Sequence, residues 1–280
     1  MSLTDEALWI IDRNLGAELT LGSIAAGCGV SHFHLAHAFA RGAGMSVMDY
    51  VRARRLTEAA EALARGASSI LDVALEAGYA SHEAFTRAFK ARFGLTPDAV
   101  RRRASTEGLA LTGRLAPLPA NAAILPPPGR VRLGERLVVG LAAETSFADA
   151  IREVPVQWRR FASLGHLVDD RAEPMAVGVM SAVREDGRFD YLCGFVVHRF
   201  DALPAGLSRL RIAPADYAVF AHPGHIASLP ATYAAIWNDA LPQAGLTVTE
   251  GPLIERHGSS FDAATGLGGV EIWVPVTARP

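Results

Sequence analysis

Lysine is almost missing from this 280-residue chain: Lys90 is the only one, and arginine supplies every other cation. Cysteine is scarce as well. Cys28 and Cys193 lie in different halves with no metal-ligand spacing, which argues against a disulfide scaffold and points to a reducing compartment. No apolar run reaches membrane-spanning length, and the acidic opening Met1–Glu6 is not a signal peptide, so a cytoplasmic protein without a membrane partner is expected. A strong net charge is lacking too, with 27 Arg and Lys against 29 Asp and Glu. The first 105 residues carry 12 cations against 11 anions and the remainder 15 against 18, so any basic surface is local. There is no Gly-x-Ser-x-Gly elbow, phosphate loop or metal cluster. No catalytic residue, metal site or cofactor is therefore expected.

The length allows about two domains. The most informative stretch runs from Gly78 to Pro97. Gly78 ends one helix and Ser81 caps the next, with Glu83 placed in the first turn where the helix dipole favours an anion. Phe85, Phe89 and Phe93 recur at four-residue steps and form an inner stripe. His82, Thr86, Arg87 and Lys90 fall off that stripe. Gly94 stops the helix, and Thr96-Pro97 opens another. A short helix, a turn and a second helix with an aromatic inside and a cationic outside are what a helix-turn-helix presents to DNA.

The rest of the first hundred residues reads as helices over about 4–14 (Thr4 as cap), 21–27, 31–41, 46–65 and 70–77. A shift of fifty residues lays Ser31 on Ser81, Leu35 on Phe85, Phe39 on Phe89, Gly44 on Gly94 and Ser46 on Thr96. The connecting helix, about 30 Å long at 1.5 Å per residue, nearly matches the roughly 34 Å turn of B-DNA. Two reading helices could then enter successive major-groove segments. The outward residues expected on the first are His32, Phe33, His34, Ala36, His37, Ala40 and Arg41. A metal reading of His34 and His37 lacks a third ligand. A helical bundle that binds a protein partner is the alternative.

These residues carry a resemblance. Gly78-Tyr79, Ser81, Phe85, Arg87-Ala88-Phe89-Lys90, Phe93-Gly94 and Thr96-Pro97, with Leu35, Phe39 and Arg54-Arg55-Leu56, make residues 5–103 similar to the double helix-turn-helix domain of AraC/XylS transcription regulators. The resemblance implies sequence-specific binding of double-stranded DNA, with Ser31, His32, Phe33, His34, His37 and Arg41 contributing from the first helix. Ser81, His82, Glu83, Thr86, Arg87 and Lys90 contribute from the second. It also implies RNA polymerase as a partner. Ala36 is too short for base hydrogen bonds, so readout by the first helix would be weaker, or driven by Phe33 against a thymine methyl. Glu83 is read equally as a cytosine acceptor and as a helix N-terminal charge.

Residues 106–125 are proline-rich and read as a semi-extended linker between a first domain, 1–105, and a second, 126–280. Strand patterns follow at 137–141, 175–179, 191–197, 217–220, 252–255 and 270–274, and helices at about 154–164 and 229–241. An offset near 79 lays Val138-Val139-Gly140-Leu141 on Tyr217-Ala218-Val219-Phe220 and Trp158 on Trp237. The second half is thus two strand-helix-strand-strand units, α+β in class, with a cleft between them for a small molecule. Glu255 within a strand is either solvated or an inward carboxylate that needs a cation. Trp158, Tyr191, Trp237 and Trp273 offer π faces for an organic cation.

Trp158, Phe189-Asp190-Tyr191, Gly194, Ile212-Ala213-Pro214, Tyr217–Phe220, Gly224, Tyr233, Ile236-Trp237, Glu255 and Ile272–Pro275 make residues 130–276 similar to the GyrI-like effector-binding domain. The resemblance implies a pocket at Glu255 for a small lipophilic or cationic effector. Arg256-His257 stand where an aromatic is common and could compete for that charge. The Glu144–Phe147 arm lacks the usual glycine-tyrosine pair. The leading expectation is a transcription regulator. The alternatives are a small-molecule hydrolase using Glu255, and a second domain that only docks a partner protein.

Overall fold

Ser or Thr hydroxyls begin all seven helices of the first half in the computed structural model, which describes residues 2–115, 125–200, 204–262 and 265–278. The helices are α1 Leu3–Arg13, α2 Leu21–Gly27, α3 His32–Ala43, α4 Val47–Ala64, α5 Ile70–Glu76, α6 His82–Phe93 and α7 Pro97–Arg103. Each cap oxygen accepts a backbone N–H of the first turn, removing one unpaired donor per helix. Ser2, not Thr4, caps α1: its hydroxyl oxygen accepts from Asp5 N while Thr4 turns inward. Gly44 and Gly94, fifty residues apart, both end their helices at φ 72°, a left-handed conformation that favours glycine. Leu35, Phe39, Phe85 and Phe89 are fully buried, so both copies of the repeat use their stripe as core. The 18 residues of α4 span about 27 Å.

Arg54 ties the N-terminal helices together. From α4 it donates to Asp12 of α1 at 2.9 Å, to Glu58 at 3.3 Å and to the Thr112 carbonyl at 2.9 Å, with only 6% of its surface exposed. Thr112 N donates to Thr57 at 2.9 Å, and Arg92 reaches the Thr112 hydroxyl at 2.7 Å. The start of the expected linker is therefore strapped across α4 and α6. The remaining proline-rich stretch, 116–124, lies outside the described residues.

Among the described residues the second half forms a nine-stranded antiparallel sheet. Its strands are β1 Gly129–Leu133, β2 Arg136–Ser146, β3 Arg171–Ser181, β4 Arg188–Val197, β5 Ser208–Ile212, β6 Ala215–His222, β7 Leu246–Val248, β8 Leu253–His257 and β9 Val270–Ala278. The order is β1-β6-β9-β8-β3-β4-β2-β5, with β7 added on β9. Helix α8, Ala150–Leu164, follows β2. Helix α9, Leu229–Ala235, follows β6 and continues through a π-helical turn, Ile236–Ala240, into α10, Leu241–Gln243. The duplication is visible in register. Gly129 opposes Val219, and their counterparts 79 residues away, Ser208 and Gly140, oppose each other. Each unit thus lends its leading strand, β1 or β5, to the other, and β3 pairs with β8 at the centre. These leading strands were not among the expected ones because their exposed, charged sequences show no apolar run.

The two halves meet along α3. The π-helical turn sends Leu241 N–H to the Ile236 carbonyl, and Pro242 has no N–H to offer Trp237. His34 fills the gap: its Nε2 lies 2.9 Å from the Trp237 carbonyl, which can only accept, so Nε2 carries the proton. His37 stacks on the Trp237 indole at 4.5 Å, with 21° between planes, and meets Phe147 edge-on at 5.0 Å. The Thr4 hydroxyl lies 3.1 Å from both Ala38 O and Asn238 Oδ1. The expectation that Phe33, His34, Ala36, His37 and Ala40 face outward is corrected: all are buried, within a core shared with the sheet domain. That mixed apolar and imidazole face packs on the Trp237 indole, and among the described residues its one polar contact there is the His34 imidazole on the Trp237 carbonyl.

Two outcomes are expected. Arg54→Ala strands the largely buried Asp12 carboxylate and should cost about 3–5 kcal/mol in urea unfolding of the first half; a loss below about 1 kcal/mol would remove Arg54 from its tying role. Burial holds both His34 and His37 below the ordinary imidazole range, opposed in His34 by the Trp237 carbonyl and reinforced in His37 by Arg41 and His34. The docked state therefore binds protons more weakly than a solvated imidazole. Docking is fully supported above about pH 6.5 and weakens as pH falls through that value. The full chain should lose several degrees of melting temperature between about pH 7.5 and about pH 5.5. His37→Phe keeps the ring stack and should lose less; an equal loss would discard this origin.

Candidate functional site

Glu255 enters the interior because of its place in the register. On β8 it opposes Gly178 of β3 and Ile272 of β9, while Gly178 opposes Cys193 of β4. Cys193 and Ile272 are 79 residues apart, so Gly178 and Glu255 occupy the same place in the two units and face each other at their junction. A Cβ at Gly178 would stand 2.1 Å from Tyr191 Oη and 2.9 Å from Glu255 Oε2. The missing side chain is the space in which the phenol and the carboxylate meet.

Tyr191, from β4, donates to Glu255 Oε2, and Tyr233, from α9, donates to Oε1. Both phenols are buried, and Glu255 is 8% exposed. Burial and the adjacent carboxylate push both phenols well above their ordinary range, so they stay protonated donors. Trp158 Nε1 donates to Tyr191 Oη at 3.2 Å. The preceding Gln157 fixes α8 by donating to the Leu141 and Tyr191 carbonyls, both at 2.8 Å. His257 lies 4.7 Å from the Trp158 ring and stacks on Phe261 at 4.2 Å; burial lowers its pKa and Glu255 opposes that. The result is an anion inside an aromatic shell, with half-buried Trp158, His257 and Phe261 toward solvent. From the other side comes Arg41 of α3, whose guanidinium lies 4.3 Å over the Tyr233 ring and 5.9 Å from Phe147.

Of the expected effector residues, Trp158, Tyr191 and Glu255 come together here. Trp237 is fully buried under His37. Trp273 is on the other face of the sheet, because it opposes Ile254 and not Glu255. There it packs on Tyr217 and lines a cavity of about 200 Å³ that also reaches Leu133 of β1 and Ile212 of β5. Arg256 is also on that face, paired with Glu173 at 2.6 Å and stacked on Trp273, so it does not compete for Glu255. Tyr233, Gly178 and Arg41 were not expected at the site. The first two depend on a helix and a strand from different units, and Arg41 comes from another domain. Phe147, in the arm that lacks the glycine-tyrosine pair, packs on His37 and Phe189.

The expected DNA-reading residues divide between two environments. On α6, His82, Glu83, Arg87 and Lys90 are exposed, Thr86 is half-buried, and the Ser81 hydroxyl oxygen accepts from Ala84 N. The Glu83 carboxyl is held below its ordinary range by hydrogen bonds from its own backbone N–H and from the Ser81 hydroxyl. On α3, Ser31 caps the helix and His32 is exposed, whereas Phe33, His34, His37 and Arg41 lie against the sheet domain.

Known proteins share both halves. A family described as a helix-turn-helix domain matches residues 24–103, and one described as a GyrI-like small molecule binding domain matches residues 130–277. The transcriptional regulator Rob of Salmonella typhimurium strain LT2 is 29% identical over 275 residues, which cover 94% of this chain and 92% of that protein. The right origin-binding protein of Escherichia coli K12 is 28% identical with the same coverage. The structure of SAV2435 bound to tetraphenylphosphonium covers 54% of this chain and 93% of its own, at TM-score 0.45 and 19% identity. Nothing in these comparisons supports the hydrolase alternative. No helix among the described residues is long and apolar enough to cross a membrane. With an AraC-type helix-turn-helix region followed by this sheet domain, the chain belongs to the GyrI-like family and is an AraC/XylS-type DNA-binding transcription regulator with a small-molecule-binding domain.

Proposed function

We propose that the chain is a single-polypeptide sensor in which Glu255, Tyr191, Tyr233 and Trp158 bind a lipophilic organic cation and α6 reads DNA. The observation that carries the effector class is the buried Glu255 carboxylate, whose hydrogen-bond partners are two neutral phenols. A cation entering the aromatic shell gains a charge partner and π faces together, which a neutral or anionic molecule of the same shape does not. Exposure of Arg87 and Lys90 supports DNA contacts from α6, with His82, Glu83 and Thr86 beside them. The Ser31–Arg41 segment belongs to the same reading as the second DNA element.

In this reading, residues 1–105 bind DNA, 106–125 connect and 126–280 sense. RNA polymerase is the further partner, supported by the relatives' role as transcriptional regulators. The same relatives favour a sensor over an enzyme. The two free, widely separated cysteines suit the cytoplasm.

Tetraphenylphosphonium should raise the melting temperature of the full chain, tetraphenylborate should not, and Glu255→Gln should abolish the shift. Equal shifts with both ions would reject charge recognition. On a site selected from random DNA, Arg87→Ala should weaken binding by about tenfold if it contacts a base. A uniform loss with a smaller salt slope would mark a phosphate contact. No change in affinity or base preference would remove α6 from its assigned role.

A further inference from the structure

Arg41 has an unusual position for a residue on a DNA-reading helix. Its guanidinium lies over the Tyr233 ring, on the phenol that donates to Glu255. Its Nε is enclosed and has no hydrogen-bond partner among the described residues. Burial lowers its pKa, and the neighbouring Tyr233 and Glu255 oppose that loss. An arginine normally engages its nitrogens with a carboxylate fork or with water. Here it offers a delocalised charge to a π face beside a buried anion, which is how an organic cation would be held. The same helix is fixed to the sheet domain by His34 on the Trp237 carbonyl and His37 on the Trp237 ring. Among the described residues His37 has no partner for either nitrogen, so this contact leaves polar atoms unpaired that release would rehydrate.

We propose that Arg41 is part of the effector site as its resident cation: it supplies the charge at the Tyr233–Glu255 corner until a lipophilic cation displaces it, and its expulsion undocks α3 from Trp237. The proposal rests on the effector reading above and assigns Arg41 to cation recognition. A ligand must then compete with a tethered guanidinium, so affinity reports the difference between the two cations. Selectivity favours ligands that cover more aromatic surface than a guanidinium does. Docked, the Phe33–Arg41 face is packed on protein and cannot lie in a groove. Displacement makes it available together with the outer face of α6, where His82, Glu83, Arg87 and Lys90 are exposed.

The test uses the full chain and tetraphenylphosphonium. By calorimetry, Arg41→Gln should bind it about tenfold tighter than the parent, Arg41→Lys should stay near the parent, and Glu255→Gln should lose binding. In the unsubstituted chain, saturating ligand should raise the rate at which diethylpyrocarbonate modifies His34 and His37 several-fold, with exposed His82 as the internal standard. Arg41→Gln binding no tighter than the parent, while Glu255→Gln loses affinity, overturns the proposal and leaves the effector site standing. No binding by either the parent or Arg41→Gln removes both. If Arg41→Gln does not fold, the histidine measurement decides: no ligand-induced increase at His37 overturns the proposal.

Discussion

Burying a carboxylate on the inner face of a sheet leaves a charge to be answered, and most of this architecture bears on how Glu255 is answered. Two phenols from different units take its two oxygens. They meet there because Gly178, the counterpart of Glu255 in the other unit, has no side chain. Trp158 extends the network from α8, which Gln157 fastens to the strands. Neutral donors stabilise the anion without cancelling it, and the cation beside them is Arg41, over the Tyr233 ring.

The duplication makes this possible by being imperfect. The register of the outer strands repeats at 79 residues, and the exchange of β1 and β5 locks the units together. At the junction, identical places hold a glycine and a glutamate, so one unit supplies space and the other charge. The helices diverge likewise. Trp158 donates into the carboxylate network, whereas Trp237, its counterpart, is buried and stacks with His37 of α3. The irregularity behind that docking is small: a π-helical turn followed by a proline leaves one carbonyl without a backbone donor.

Much of the helical half was legible in residue types. Caps at Ser31, Ser46, Ser69, Ser81 and Thr96 and stops at Gly44 and Gly94 are local chemistry, and they fall where expected. The cap of α1 was misplaced because Ser2 and Thr4 are equivalent locally; the packing of Thr4 against Ala38 and Asn238 separates them. Strands with apolar runs were found, whereas β1 and β5, exposed and arginine-bearing, were not. At the candidate site, Glu255, Tyr191 and Trp158, grouped by residue type, come together in the structure. Trp237 and Trp273 were misgrouped, since an aromatic residue does not declare which face of a strand or helix it occupies. A local sign of the difference is that, at the positions where α6 carries Glu83 and Arg87, α3 carries Phe33 and His37, a face suited to packing.

The sequence alone determined what short-range physics controls: seven capped helices, a fifty-residue repeat, a 79-residue repeat and a carboxylate among aromatics. Tertiary structure alone decided which surfaces are free. A helix period separates an inner stripe from an outer one, but it does not say whether the outer stripe meets water, DNA or a second domain. That depends on contacts more than two hundred residues apart, such as His34 with Trp237, whose energy comes from desolvation and hydrogen-bond satisfaction at a place neither segment specifies by itself.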